Sequence, residues 1–431
     1  MRTPRVVIVG SSVAGVRVAQ SLRTCEYTGE VVLVGEELEL PYDKPPLSKG
    51  LLAGGERAPK LSLLSAEEAD AAGIELVLGR CAVHLDVPGR EVVLAGGERL
   101  AFDDVVIATG ARARPSPWGR PDGVHVLRSL ADASALRADL ARGGHLVVIG
   151  GGFIGSEVAS TARGLGLEVT VVDPQAVPMS RVLNPEIGRL FTELHERNGV
   201  RTRFGVGVEG IDGVRGALRV HLSDGSVLDA ATVVIGIGAI PNDGWLSSSG
   251  LRVDDGLVCD EYSRAVGAPR VYAVGDVARW YHPTYATLVR VEHWTNAVEQ
   301  AACVAHNITH PERPRTHAPL EYVWSDQYDW KVQIAGRTGG DFEHCVVTGP
   351  EPGRSFAVLY GDSDRALRGV VAVNWVRALV ECRRALSDGG AVSVGEIREK
   401  IASLVNPKPR LDRANSNRAP MRSSGSPSLD P

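Results

Sequence analysis

No two cysteines stand close together in this sequence. Cys25, Cys81, Cys259, Cys303, Cys345 and Cys382 are scattered, with no C-x-x-C or C-x-x-x-x-C pair among them. A redox-active dithiol needs both sulfurs on one turn, and cysteine-rich metal sites need short paired spacings, so neither is expected. Idle thiols in a reducing compartment fit the pattern better. Long apolar runs are missing too: none approaches the roughly 18 residues of a membrane span. The stretch at 6–9, just after the start, is too short for the core of a secretory signal. An excess of positive charge is also absent. Lys and Arg total 47 against 52 Asp and Glu, a net charge of −5, which argues against a dedicated nucleic-acid binder. The 49 glycines and 25 prolines follow no fixed period, which excludes collagen-like and repeat arrays.

What remains is a chain of 431 residues, 44% hydrophobic and 23% charged, the balance of a soluble globular protein with two or three domains. A cytoplasmic protein without nucleic-acid or membrane partners is expected. No metal site is expected either. His306 and His310 are spaced for one helix face, but no third ligand accompanies them and Pro311 ends the helix.

Short apolar runs recur at 6–9, 31–34, 105–108, 146–149, 169–172, 232–237 and 271–274, and each reads as followed by a turn and a helix-like stretch. Strands of this kind, apolar on both faces, belong to parallel sheets of α/β domains. From about residue 320 the texture changes to strands separated by Gly/Asp turns, at 323–326, 331–335, 345–348, 356–360 and 370–373, with helices at 376–387 and 394–404. That is an α+β module. Residues 406–431, rich in Pro, Ser, Arg and Asn, read as a disordered tail.

Two of the apolar runs open a glycine-rich turn. The first is Gly10-Ser11-Ser12-Val13-Ala14-Gly15, with serine in place of the middle glycine of G-x-G-x-x-G and a helix expected at 16–23. An acidic pair, Glu36-Glu37, follows the next strand, and the 21 positions from Gly15 to Glu36 suit a carboxylate that binds a ribose. The second turn, Gly150-Gly151-Gly152-Phe153-Ile154-Gly155, is complete and precedes a helix expected at 156–165. Its backbone N–H groups and the positive helix end suit a pyrophosphate. The strand after it ends in Asp173, which pairs with a free 2′-hydroxyl and repels a 2′-phosphate, so NADH is favoured over NADPH.

The order of these motifs resembles the FAD-dependent, NADH-using ferredoxin reductases of the glutathione-reductase-like flavoprotein superfamily, in particular those that feed bacterial oxygenases. Segments 40–49, 107–110, 234–242, 271–277, 291–294 and 324–329 carry the likeness, which spans residues 4–404. It implies an α/β fold of two Rossmann-like nucleotide-binding domains, for FAD and NADH, plus a C-terminal α+β domain. The chain order then gives a FAD unit at 1–112 and 243–318, an NADH unit at 113–242 and the C-terminal domain at 319–405.

The resemblance also implies roles. Gly10, Ser12, Val13, Ala14, Gly15 and Glu36 would hold the FAD pyrophosphate and adenosine ribose, with Lys44 where the family usually has an arginine near the diphosphate. Val83, Ala108, Thr109, Gly110, Arg128, Gly275, Asp276, Val291, His293 and Trp294 would approach the flavin, Asp276 at the ribityl chain. Gly150, Gly152, Phe153, Ile154, Gly155, Asp173, Gly236, Ile237 and Gly238 would bind NADH. Lys49 and Glu157 would pair beside the flavin N5, with Trp294 an aromatic near the nicotinamide or flavin face. For His293 itself, satisfied structure is expected rather than proton transfer.

The activity so implied is hydride transfer from NADH to FAD, then single-electron transfer to a ferredoxin, of the two-iron, two-sulfur type, that supplies a haem-thiolate monooxygenase or a Rieske oxygenase. The enzyme would be a monomer or weak homodimer. Ferredoxins are usually acidic, so Arg279, Arg290, Arg377, Arg383 and Arg384 are candidates for docking. Trp375 stands where the family more often has an arginine. Disulfide reductases and peroxidases of the superfamily work through a cysteine near the flavin, and residues 39–49 contain none. A redox-sensing flavoprotein resembling apoptosis-inducing factor and a rubredoxin reductase are the alternatives.

Overall fold

Valine and isoleucine dominate the runs that open the chain, and these β-branched residues pack best on a pleated sheet. A computed structural model describes residues 3–54, 61–387 and 392–405. The tail expected at 406–431 lies outside the described residues. Strand Arg5–Val9 is the centre of a five-stranded parallel sheet in the order Val271–Ala273, Asp104–Ile107, Arg5–Val9, Glu30–Val34, Ile74–Val77. Val6 and Ile8 point to helices Val13–Thr24 and Trp294–Thr309, while Val7 and Val9 point to Leu85, Val92 and Trp280. Both faces are covered, which is why the run has no polar alternation. Strand Val271–Ala273 joins this sheet from far along the chain.

A second five-stranded parallel sheet lies between those two pieces, in the order Arg201–Phe204, Glu168–Asp173, His145–Ile149, Thr232–Ile235, Val124–His125. The chain enters and leaves this region along one antiparallel pair, Ala111–Ala113 with Ala239–Pro241. The strand expected at 232–237 stops at Ile235, because Gly238 takes a φ of 108° that ends the extended run. Both nucleotide-turn helices start three residues earlier than the sequence pattern suggests, at Val13 and Phe153, since Ser12 and Gly152 are extended N-caps.

The C-terminal sheet is antiparallel, in the order Tyr322–Gln327, Trp330–Gly336, Leu367–Val373, Phe356–Gly361, Glu343–Thr348. Helices Val376–Ser387 and Val394–Ala402 cover one face. The other packs on helix Pro185–Arg197, with Phe191 edge-on to Trp330 at 5.3 Å. The last helix ends at Ala402, two residues short of the expected 404. Among the described residues no helix is long and apolar enough to cross a membrane.

Candidate functional site

The first glycine turn makes a tight corner. Gly10 has a φ of 120°, and a Cβ there would collide with the carbonyl oxygen of Ala108. A Cβ on Gly15 would strike the carbonyl oxygen of Gly10, so the helix can approach the strand only with glycine at both ends. Ser12 occupies the middle position as an N-cap whose hydroxyl makes no capping bond. Beside this turn opens a cavity of about 600 Å³ whose walls include Gly10, Ser12, Glu36, Lys44, Thr109 and Arg128. Backbone donors at a helix start, a carboxylate at one end and two cations along the wall match the phosphates and ribose of a dinucleotide. The residues present therefore fit FAD.

Within this cavity the cations are held by neighbours. Lys44 Nζ donates to Glu37 Oε1 at 3.0 Å, and burial lowers its pKa. Tyr42 OH donates to the other oxygen of Glu37 at 2.5 Å. Arg128 donates to Asp276 Oδ2 at 2.9 Å and to the carbonyl oxygen of Ala111 at 2.8 Å. Gly275, φ 77°, lies against the side chains of Ala14 and Ala297, and its N–H donates to Gln300 Oε1 at 2.9 Å. Val83 stays outside: it is 48% exposed, and its neighbours Cys81 and Ala82 line the cavity instead. Glu36, Tyr42, Ala108, Gly110 and Asp132 share the wall.

Val291 is buried just before helix Trp294–Thr309, whose N-cap is His293. Trp294 Nε1 donates to Asp43 Oδ1 at 2.8 Å, and its ring meets Trp324 edge-on at 6.1 Å. His293 is pushed down to about 4 by burial, so it is neutral near pH 7, and its Nδ1 has no partner among the described residues.

Lys49 and Glu157, 108 positions apart, form a salt bridge of 2.7 Å. Glu157 sits just past the first turn of helix Phe153–Gly164 and is only 3% exposed. A buried carboxylate needs donors. Here Ser48 Oγ donates to Oε2 at 2.5 Å and Ser325 Oγ to Oε1 at 2.7 Å. Neither serine stands out in the sequence, although both lie in segments that carry the family likeness.

The second turn repeats the first. A Cβ on Gly150 would strike the carbonyl oxygen of Gly236, and one on Gly155 the carbonyl oxygen of Gly150. Gly152 faces open space, and Ile154 is 43% exposed. Asp173 accepts from the N–H of Gly151 at 2.7 Å and of Gln175 at 2.8 Å, so it holds the turn as well as flanking it. Phe153, Val182, Val323 and Phe342 pack against the core between helix Pro185–Arg197 and the C-terminal sheet. The last three line a cavity of about 380 Å³ between the second sheet's region, the C-terminal sheet and His293. Ile237 packs beneath the second sheet, while the guanidinium ends of Arg181 and the Nε of Arg114 lie 3.7 and 3.9 Å from where a Gly238 Cβ would be. Neither arginine forms an ion pair among the described residues, which leaves two unneutralised cations beside Gly238. Arg181 lies in the segment that follows the Asp173 strand, whereas Arg114 comes in from the end of strand Ala111–Ala113, far away in sequence.

The arginines proposed for docking divide in two. Arg279 is paired with Asp254 at 2.7 Å, and Arg290 with Asp255 and Glu292 at 3.1 and 2.5 Å. Arg377 has no ion pair among the described residues, and Arg384 reaches Glu381 only at 4.0 Å. Arg383 lies over the Tyr322 ring at 4.8 Å, and Tyr322 stacks on Trp324 at 6.2 Å. Beside them Val376 and Val380 are 55% and 50% exposed. Trp375 is 3% exposed in the C-terminal core, so it packs instead of facing a partner. His306 and His310 stack at 4.7 Å, and no group of three metal-ligating side chains occurs among the described residues. All six cysteines are free.

Residues 4–301 match the pyridine nucleotide-disulphide oxidoreductase family, and residues 322–406 match the reductase C-terminal family. The rhodocoxin reductase of Rhodococcus erythropolis is 39% identical over 385 residues, covering 89% of this chain and 89% of its own. The ferredoxin–NAD(+) reductase component of the p-cumate 2,3-dioxygenase system of Pseudomonas putida is 36% identical, covering 93% of this chain and 97% of its own. The crystal structure of a covalent putidaredoxin reductase–putidaredoxin complex superposes with a TM-score of 0.86 at 32% identity, covering 95% of this chain and 100% of that one.

Proposed function

The chain belongs to the pyridine nucleotide-disulphide oxidoreductase family, and on that premise we infer that it is a flavin-dependent ferredoxin–NAD(+) reductase of an oxygenase system. The observation that carries the reading is the Lys49–Glu157 salt bridge, which joins the segment beside the first nucleotide turn to the helix that opens from the second. Elements of the two glycine turns thus meet at one partly buried ion pair, and all six cysteines are free thiols.

In the proposed site FAD is the flavin. Gly10 to Gly15 and Glu36 bind its diphosphate and adenosine ribose, with Lys44 and Arg128 along the wall and Asp276 at the ribityl chain. NADH lies on Gly150 to Gly155, with Asp173 at its adenosine ribose and Arg114 and Arg181 free to face its phosphates. When bound, the flavin supplies the conversion of a two-electron hydride into single electrons. The chain's own part is positioning. Lys49, fixed by Glu157, places a cation beside the reacting edge. Phe153, Val182, Val323 and Phe342 keep water from the nicotinamide side. Trp294, Trp324 and Tyr322 form an aromatic wall that leads toward Arg383. We assign residues 1–112 with 243–318 to the flavin, 113–242 to NADH and 319–405 to the C-terminal domain.

The partner is proposed to be a two-iron, two-sulfur ferredoxin, docked on Arg377, Arg383 and Arg384 with Val376 and Val380 as the apolar centre. Arg279 and Arg290 are dropped from that face because carboxylates neutralise them. The downstream enzyme is a haem-thiolate or Rieske oxygenase, and the reductase works as a monomer or weak homodimer. Anaerobic titration of the purified flavoprotein tests the reading: NADH should bleach the flavin with about one equivalent, since a hydride carries both electrons a flavin accepts. A flavin that NADH leaves oxidised would overturn it.

A further inference from the structure

The two oxygens of Glu157 are held by different parts of the chain. Oε2 accepts from Lys49 Nζ and Ser48 Oγ, and Oε1 accepts from Ser325 Oγ, which belongs to strand Tyr322–Gln327 of the C-terminal sheet. Ser325 is fully buried. Gln327 Nε2 donates to its oxygen at 3.2 Å, so the single hydroxyl proton is left for the carboxylate.

The strand cannot drift away from this contact. The N–H of Tyr328, in the turn that follows, donates to Ser160 Oγ at 2.7 Å. Its hydroxyl meets His195 Nδ1 at 2.8 Å, and His195 Nε2 meets Ser156 Oγ at 3.3 Å. Ser156 and Ser160 lie on the same helix as Glu157, on either side of it in sequence. The C-terminal turn is therefore pinned to this helix on both sides of the carboxylate. Tyr328 adopts a φ of 53° to make these bonds, a left-handed conformation uncommon for a large side chain.

We propose that Ser325 is a positioning residue for the Lys49–Glu157 pair, so that the C-terminal domain completes the hydride-transfer site as well as serving the electron acceptor. This rests on the NADH-to-flavin reading above. A carboxylate with donors on both oxygens is locked in rotation, and Lys49 is then held in one place. Without Ser325 one oxygen is buried with no donor, the plane can turn, and the charged form loses a stabilising bond.

The test uses the full-length flavoprotein with Ser325→Ala and Ser325→Thr. Under saturating NADH the limiting rate of flavin reduction should fall about tenfold in the alanine variant, as expected for one lost bond to a charged group. The half-saturating NADH concentration should change little, and threonine should restore most of the rate. A second readout is independent of turnover. In infrared difference spectra at neutral pH, the carboxylate stretching band that vanishes in Glu157→Gln should shift in Ser325→Ala, because one oxygen has lost its donor.

Unchanged rate and an unchanged carboxylate band in Ser325→Ala overturn the proposal, as does an equal loss in the alanine and threonine variants, which would mean packing alone. If the alanine variant does not fold, Ser325→Cys, with a weaker donor of similar shape, must show the same shifts in smaller measure. A wild-type band and rate in that variant overturn it too. Should NADH fail to reduce the wild-type flavin, the parent reading falls, and the carboxylate band still decides the role of Ser325.

Discussion

Trp294 Nε1 donates a 2.8 Å hydrogen bond to Asp43 Oδ1 across 251 positions of sequence. The bond ties the segment that ends in Lys49 to the start of helix Trp294–Thr309, so two stretches remote in sequence are held together. Burial raises the Asp43 carboxyl above its ordinary range, and the indole donor works against that rise.

Replacing Trp294 by Phe should therefore cost about 1–2 kcal/mol of stability, the usual effect of leaving a partly buried carboxylate without its donor. A raised folded-state pKa means the native form holds more protons than the unfolded one, so stability falls as pH rises through that window. Losing the donor enlarges the effect. The melting temperature of Trp294→Phe should lag wild type more at about pH 7 than at about pH 5. Equal lags at both values would remove Asp43 from the explanation.

Exchange of Glu157 for Gln keeps the shape and removes the charge that holds Lys49. Flavin reduction by NADH should slow by roughly 10- to 100-fold, the range for one bond to a charged group. Flavin content should stay near wild type, because Glu157 does not line the larger cavity. Rapid-mixing absorbance at the flavin band checks both.

Acid should weaken the fold through buried histidines. His195 and His293 are pushed down to about 4, and His317 to about 3, all by burial, from an ordinary value of 6.5. With a lowered folded pKa, the unfolded chain binds more protons in the window between, so stability is lost as pH falls from about 6.5 toward about 4. Urea midpoints measured across that window should drop steadily. In His195→Gln the slope should be shallower, since one of the three groups no longer titrates.

Charge reversal at Arg377 and Arg384 should raise the apparent KM for an acidic ferredoxin about tenfold or more at low salt and leave NADH-to-dye turnover unchanged. Reversal of Arg279, already paired with Asp254, should do little to ferredoxin affinity. A KM that responds to Arg279 and ignores Arg377 would place docking elsewhere.

Much of the fold could be read from local pattern. Runs such as 6–9 and 146–149 are apolar on both faces because helices and strands cover both, and the glycines at 10, 15, 150 and 155 are required by collisions a Cβ would cause. The antiparallel meanders at 82–101 and 208–230 escaped because their strands are partly exposed and most interleave polar residues or glycine with the apolar ones, as at Glu209, Gly210, Asp212 and Gly213. At the site, Lys49 and Glu157 stood out only through likeness to a family, since a lone charge says nothing of its partner 108 positions away. Ser48, Ser325 and Arg114 were illegible for the same reason. Their significance lies in which loops the tertiary fold brings together, and no periodicity records that.

The most direct test of the whole account is NADH-dependent reduction of cytochrome c by the FAD-loaded protein, with and without an added two-iron ferredoxin. The account predicts a large rise when ferredoxin is added and a much poorer rate with NADPH, as Asp173 requires. Flavin that is bleached by NADH yet passes no electrons to ferredoxin or cytochrome c would contradict it.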